Sequence, residues 1–418
     1  MDKIVIQGGA QLSGEVNVSG AKNSALPLMF ATLLCEGRHT LRNVPQLKDI
    51  DSTATLLEHL GCKVARIDGR TVSIDVPARV LSNAPYEIVR KMRASVLCLG
   101  PLLARYGEAQ ASLPGGCAIG TRPIDQHLDG FKNLGAEVEL TEGIVNVRAK
   151  SLVGSRIVFD GVTVGGTENV LMASVYASGE TIIENAAKEP EIVDLADFLN
   201  KMGARIIGAG TSIIRVQGVT KLYPAEHTVI PDRIEASTLI IAGAISKGHV
   251  VVKNCVPDHF DALTSKLKEC GFKIQSDNQT VEIQALKEWR SSDITTAPFP
   301  GFATDCQAQF MALMTQAIGT SVISETIFEN RFMHVPELSR LGADITPRSR
   351  VAIVRGTPGK LKGAPVMATD LRASASLVLA GLCASGETTV NRIYHLDRGY
   401  EKLEEKLAAL GARIKRLQ

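Results

Sequence analysis

Leu60-Gly61-Cys62-Lys63-Val64 is the first of six copies of one phrase: hydrophobic, Gly, variable, charged, hydrophobic. The others are Leu134-Gly135-Ala136-Glu137-Val138, Met202-Gly203-Ala204-Arg205-Ile206, Cys270-Gly271-Phe272-Lys273-Ile274, Leu341-Gly342-Ala343-Asp344-Ile345 and Leu410-Gly411-Ala412-Arg413-Ile414. Their glycines lie 74, 68, 68, 71 and 69 residues apart. A glycine that closes an amphipathic run and opens a short hydrophobic stretch is a helix stop leading into a strand. A period of roughly 70 residues is too long for a common solenoid repeat. It suits a small α/β unit with two layers of its own, and six such modules are expected.

Upstream of each phrase the same signals recur. An apolar run opens at a polar residue and ends at Gly, as in Ser24–Gly37, Thr167–Gly179 and Arg372–Gly386. A β-branched strand follows, often closed by Asn, as at Asn43, Asn185 and Asn391. In Ser24–Leu34 and Ser374–Leu382 the apolar residues are nearly continuous, which predicts helices buried all round. The second helices, such as Asp51–Leu60 and Tyr400–Leu410, are amphipathic and belong on the surface. Six modules fold most simply as two domains of three, divided near Ala225–Pro231. The N-termini of buried helices carry unpaired N–H groups and the positive end of the helix dipole, so they attract anions. The strand Lys3–Gln7 has no module of its own and is expected to complete the C-terminal domain.

Composition bounds the function. The chain has 418 residues, 45% hydrophobic and 22% charged, with a net charge of +2. That balance argues against a general nucleic-acid surface. The N-terminus lacks the pattern of a signal peptide, and no uncharged apolar stretch is long enough to span a membrane. A cytoplasmic protein is expected. The eight cysteines form no CxxC pair and no zinc spacing. Buried free thiols are expected for most of them, and no metal or cofactor.

One cysteine differs. Leu113-Pro114-Gly115-Gly116-Cys117-Ala118-Ile119-Gly120-Thr121-Arg122-Pro123 can be neither a helix interior nor a central strand. It reads as an exposed loop, with Arg122 near enough to stabilise the Cys117 thiolate; the bland alternative is a turn. Lys22 and Asn23 stand at the mouth of a buried helix, where a cation, an amide and free N–H groups suit a phosphate or carboxylate. Thr304 and Gln307 match a capping box that places Asp305 in a first helical turn, as a base that stays ionised. Arg93 and Arg372 sit at helix starts, and Arg398 precedes a second helix. Arginines there oppose the dipole and so imply a bound anion. Arg331 and His334 either join this cationic groove or serve as packing and surface residues.

These residues carry a family resemblance. Gly20-Ala21-Lys22-Asn23-Ser24-Ala25-Leu26-Pro27, Pro114 to Pro123, Phe328-Glu329-Asn330-Arg331-Phe332-Met333-His334-Val335 and Ala368-Thr369-Asp370-Leu371-Arg372-Ala373-Ser374-Ala375 resemble the UDP-N-acetylglucosamine enolpyruvyl transferases, from the first strand to Ile414. The resemblance implies the enolpyruvyl transferase fold, with two inside-out α/β domains, each of three βαβαββ repeats. It places residues 22–230 in the N-terminal domain, residues 1–21 and 231–418 in the C-terminal domain, and the active site in the cleft between them. It implies transfer of the enolpyruvyl group of phosphoenolpyruvate to UDP-N-acetylglucosamine, the step that starts peptidoglycan synthesis. Cys117 would be the general acid and the thiol alkylated by fosfomycin. Lys22, Asn23, Arg122 and Arg398 would hold phosphoenolpyruvate, with Arg372 close by, and Asp305 would take the hydroxyl proton. Arg93, the stretch Arg122-Pro123-Ile124-Asp125-Gln126, the loop Gly161-Val162-Thr163-Val164 and Ile327 would contact the nucleotide sugar. A monomer is expected.

Two positions depart from the pattern. Gly161 stands where relatives often carry Lys, which weakens the expectation of a diphosphate contact there. Cys306 beside Asp305 is a second thiol, read most simply as a buried first-turn side chain. The sibling that acts on shikimate 3-phosphate begins its first helix with Lys-Ser rather than Lys22-Asn23 and lacks the Pro-Gly-Gly-Cys loop. RNA 3′-phosphate cyclases share part of the architecture but rely on a His for which this chain has no context. A non-catalytic binder of UDP-N-acetylglucosamine would have no need of Lys22, Cys117, Asp305 and Arg398 together.

Overall fold

The computed structural model describes residues 2–89, 92–113 and 124–418. The phrase that repeats in sequence repeats in backbone. Gly61, Gly135, Gly203, Gly271, Gly342 and Gly411 all take a left-handed φ, between 91° and 107°. In each copy the glycine N–H and the next N–H turn back onto the last helical carbonyls. Gly61 N reaches Glu58 O at 3.0 Å and Cys62 N reaches Leu57 O at 2.9 Å. Gly411 N to Ala408 O (2.9 Å) and Ala412 N to Leu407 O (3.0 Å) repeat the pattern 350 residues later. Glycine has no Cβ to clash in this conformation, and the paired bonds satisfy carbonyls that would otherwise be orphaned.

Each module builds one four-stranded sheet. In the second, third and fifth modules a first strand runs parallel to a second through a buried helix, and a hairpin of two further strands pairs antiparallel beside the second. In the third module Arg156–Val158 lies parallel to Glu180–Glu184, with Arg156 opposite Ile182. Ile213–Gln217 lies antiparallel on the other side, with Thr181 opposite Val216, and Arg205–Ile207 forms the far edge. Strand burial alternates, as in Ile213–Gln217, so one face of the sheet is solvated and the other packs inward.

The chain forms two compact units, one from residues 2–19 and 231–418 and one from the described residues of 20–230. Gly20 and Ala21 group with the second of these, where Ala21 N donates to Ile230 O at 2.7 Å. The central unit contains the buried helices Lys22–Ala31, Leu99–Tyr106 and Val164–Ser174. The other contains Arg233–Ile245, Gln307–Met314 and Ala373–Cys383, which pack on one another. Every residue of Gln307–Met314 is buried, and every residue of Lys22–Ala31 except Asn23. Helices lie inside and sheets outside in both units, which accounts for the uninterrupted apolar runs.

Three sheets borrow a strand from elsewhere in the chain. Glu226–Thr228 pairs with Gly37–Arg42 and closes the first module's sheet. Ser13–Asn17 pairs with His249–Lys253 and opens the fourth. Lys3–Gln7 lies between Glu387–Asn391 and Arg413–Leu417 and completes the sixth.

Candidate functional site

In the central unit the helix Lys22–Ala31 begins at Ala21 without a side-chain cap. Lys22 is 7% exposed, and its Nζ lies 2.9 Å from Asp49 Oδ2, itself buried in the first turn of Lys48–His59. A buried ammonium needs such a partner, because desolvation alone would cost several kcal/mol, on the order of the effective penalty per buried ion. Sequence reading missed Asp49. Its signal was an acid in a first helical turn, on the face that carries Ile50, Thr53 and Leu56. Asn23, next to Lys22, is half-buried.

Arg93 opens the 3-10 turn Arg93–Cys98, on which the Lys22–Ala31 helix packs. His127, buried in the helix Asp125–Asn133, accepts at Nδ1 from Asn169 Nδ2 at 3.1 Å. Asn169 also donates to Val96 O and accepts from Gly100 N, so its amide is fully used. Burial, and then the Arg93 charge, push His127 down to about 3, which keeps the ring neutral. Neither His127 nor Asn169 was singled out from the sequence.

Ile124 is buried and Asp125 exposed at the start of that helix. Gln126 Oε1 accepts from Gly161 N at 3.2 Å, so two predicted nucleotide-sugar segments are joined. Thr163 caps Val164–Ser174 through Gly166 N, also at 3.2 Å. Val162 is exposed, and a Cβ at Gly161 would meet nothing within 4 Å. Cys117, Arg122 and Pro123 lie outside the described residues.

The other unit holds an alternation of charges. Asp305 lies in the 3-10 turn Thr304–Cys306 that leads into Gln307–Met314. Its Oδ1 is 2.7 Å from Arg331 Nη2, and its Oδ2 is 3.3 Å from Arg372 Nε. Both arginines are buried, at 6% and 2% exposure. Arg372 also donates to Gly399 O at 3.0 Å, lies 3.7 Å from Asp232 and sits over the Tyr400 ring. Burial is the largest influence on Arg372 and works against its charge, but Asp232, Tyr400 and Asp305 outweigh it and raise its pKa. The anion that an arginine at a helix start calls for is here supplied by the protein's own carboxylates.

The capping box expected at Thr304 and Gln307 does not form. Thr304 Oγ1 donates to Glu325 Oε2 at 2.8 Å, and the Gln307 amide has no hydrogen-bond partner among the described residues. The Thr304 oxygen, which would have to accept from a helix N–H in a capping box, accepts instead from Arg331 Nη1 at 2.9 Å, a charged and stronger donor. Asp305 still falls in the first turn, held by arginines rather than by a capped helix end.

Arg398 ends the 3-10 turn Leu396–Arg398, half-buried. Ile327 is half-buried, and its N–H donates to Glu325 Oε1 at 2.8 Å. His334 is fully buried, and burial pushes it down to about 4, so it is a neutral packing residue. Burial pushes the Cys306 thiol up to about 11, far from a reactive thiolate. Among the described residues no cluster of His, Cys, Asp or Glu is placed to hold a metal ion, and no helix is long and apolar enough to cross a membrane.

The outer sheets and buried helices are shared with a solved enolpyruvyl transferase. The chain belongs to the EPSP synthase (3-phosphoshikimate 1-carboxyvinyltransferase) family, which it matches over residues 6–407. Within that family it is similar to proteins named UDP-N-acetylglucosamine 1-carboxyvinyltransferase. That of Bdellovibrio bacteriovorus is 63% identical over 99% of this chain and 100% of its own. That of Myxococcus xanthus is 58% identical over 100% of this chain and 99% of its own. Among solved structures, the enolpyruvyl transferase NikO from Streptomyces tendae has a TM-score of 0.87 at 26% identity, covering 99% of this chain and 98% of its own. An EPSP synthase from Acinetobacter baumannii, at 18% identity and TM-score 0.76 over the full length of both chains, shares the fold.

Proposed function

We propose that this chain transfers the enolpyruvyl group of phosphoenolpyruvate to the 3′-hydroxyl of UDP-N-acetylglucosamine, releasing phosphate. The observation that carries the reading is full-length identity of 63% and 58% to relatives named for this acceptor. The reaction is the first committed step of peptidoglycan biosynthesis, which ties it to cell-wall growth, cell shape and division. It needs no cofactor, and both substrates are cytoplasmic, as is the enzyme in this reading, which acts as a monomer.

The path is addition followed by elimination. The 3′-hydroxyl oxygen adds to C2 of phosphoenolpyruvate while C3 takes a proton, giving a tetrahedral ketal. Loss of a proton from C3 and of phosphate from C2 then restores the double bond. Cys117 is the acid toward C3, and Asp305 accepts the hydroxyl proton. Lys22, Asn23, Arg122 and Arg398 hold phosphoenolpyruvate, a small polyanion whose charge shifts between carboxylate, phosphate and the developing cation at C2. Arg372, with its guanidinium on Asp305, acts through that carboxylate. Arg93, Arg122 to Gln126, Gly161 to Val164 and Ile327 receive the nucleotide sugar.

The test is phosphate release from phosphoenolpyruvate with UDP-N-acetylglucosamine or shikimate 3-phosphate as acceptor, before and after fosfomycin. Release with the nucleotide sugar alone, lost on labelling of Cys117, supports the reading. Cys117→Ser is expected to abolish turnover and labelling, whereas Cys117→Asp keeps a proton donor and should turn over yet resist the drug. Release with shikimate 3-phosphate, or normal turnover by Cys117→Ser, would overturn the acceptor or the acid.

A further inference from the structure

We propose that Glu325 is a positioning residue for proton transfer, orienting Asp305 through Thr304 and Arg331 while it fixes the Ile327–Phe328 backbone. The inference rests on the reading of Asp305 as proton acceptor. Glu325 follows the strand Thr320–Ser324 and is 1% exposed. A carboxylate at that depth persists only if its lone pairs are matched. Four donors match them: Thr296 Oγ1 (2.9 Å), Ile327 N (2.8 Å) and Phe328 N (3.2 Å) at Oε1, and Thr304 Oγ1 (2.8 Å) at Oε2.

The two oxygens do different work. Oε1 clips the backbone of the turn that presents Ile327. Oε2 fixes the direction of a hydrogen-bond chain. A carboxylate only accepts, so the Thr304 hydroxyl must point its hydrogen at Glu325 and offer its lone pairs elsewhere. Arg331 Nη1 takes that place, donating to Thr304 Oγ1 at 2.9 Å. The other end of the same planar guanidinium, Nη2, lies 2.7 Å from Asp305 Oδ1. The geometry of the fork therefore passes from Glu325 to the carboxylate that meets substrate. Packing gives no reason for a charge at this depth, whereas Arg331 does. Burial works against its charge, and Asp305, Asp370 and Glu325 are the carboxylates that sustain it.

Glu325→Gln separates the two roles. With its amide oxygen at the Oε1 position the variant keeps the backbone clip. Its NH2 then faces Thr304, reverses the chain and removes one negative charge beside Arg331. The other groups facing Asp305 and its arginines are unchanged: Arg372, the Cys306 thiol, Asp370, Asp232 and the neutral His334. Asp305 then feels more of the Arg331 charge and becomes a weaker base.

The experiment compares wild type, Glu325→Gln and Thr304→Val for kcat, KM for UDP-N-acetylglucosamine, the pH profile of kcat, and Tm. Both variants are expected to lose about tenfold or more in kcat with KM within about threefold, as for a misplaced reacting group. In Glu325→Gln the acidic limb of kcat should move to lower pH, since losing a negative charge beside the Arg331 fork favours the ionised form of Asp305. Wild-type kcat and pH profile in a folded Glu325→Gln, or wild-type kcat in Thr304→Val, overturns the proposal. If Glu325→Gln does not fold, Thr304→Val decides alone, because it cuts the same chain with Glu325 in place. A wild type that releases no phosphate with UDP-N-acetylglucosamine removes the functional reading and this inference with it. An active wild type beside unimpaired variants removes only the inference.

Discussion

The outer helices end alike and the buried helices begin differently. All six hydrophobic-Gly phrases make the same pair of reversed hydrogen bonds around a left-handed glycine. Of the six buried helices, one begins at Ala21 without a side-chain cap and with Lys22 as its first residue. Two continue from 3-10 turns, Arg93–Cys98 and Thr304–Cys306. Thr163 and Asp232 cap two more, and Asp370 takes the N–H groups of Arg372 and Ala373 at 2.8 Å each in the last. A left-handed glycine with two reversed hydrogen bonds stops a helix within one residue and turns it into a strand at little steric cost, so the outer ends converge. A start leaves donors and a positive field that each module can use for itself, and there the modules diverge.

The comparison breaks first at Asp305. Asp305→Ala should cut kcat by about 10²–10⁴, the usual worth of a placed acid or base. Affinity for UDP-N-acetylglucosamine, measured by equilibrium titration, should change far less. A pure affinity loss would place Asp305 among the binding groups instead.

His127, packed against the start of Val164–Ser174, gives a pH-dependent test. Its ordinary value is 6.5, and burial lowers it to about 3. The unfolded chain binds a proton on acidification that the folded chain refuses, so stability present above pH 6.5 is lost as pH falls. The expected loss is about 2 kcal/mol between pH 6.5 and about pH 5 from this group, at ~1.4 kcal/mol per unit. His127→Gln should flatten that slope in denaturant titrations at the two pH values. An unchanged slope would show that the ring protonates in the folded state.

The smallest expected effect is at an end. A Cβ at Gly135 would meet nothing within 4 Å, but the φ there is 91°. Gly135→Ala should therefore cost about 1–2 kcal/mol from backbone strain alone, and Gly135→Asn less. Gly161 is equally open but lacks the left-handed φ, so Gly161→Ala should leave the denaturation midpoint within error. Equal losses at both glycines would mean that conformation is not what distinguishes the ends.

The ends were legible in sequence because their cause is local: one glycine, two hydrogen bonds and a period. The modules, their number and the buried helices followed from them. The starts were half legible. Lys22, Arg93, Asp305 and Arg372 stood out as charges at helix mouths, and the structure puts all four at such places. Their partners did not stand out, because they come from far along the chain: Asp49 for Lys22, Asp232 and Gly399 for Arg372. Thr304 shows the limit most clearly. Its spacing to Gln307 fits a local capping rule, but a carboxylate 21 residues away claims its hydroxyl.

The borrowed strands set an order of assembly. Residues 20–230 form a cassette whose two ends are joined, Ala21 to Ile230, with every strand of its sheets inside it. The other unit is interrupted in sequence by that cassette, and Lys3–Gln7 pairs with Glu387–Asn391 and Arg413–Leu417. At the ribosome's pace of ~5–20 residues per second, the first strand of the chain waits on the order of 20–80 seconds for its neighbours to be made. The cassette can finish during that wait, so a strand translated before it is among the last to find its place.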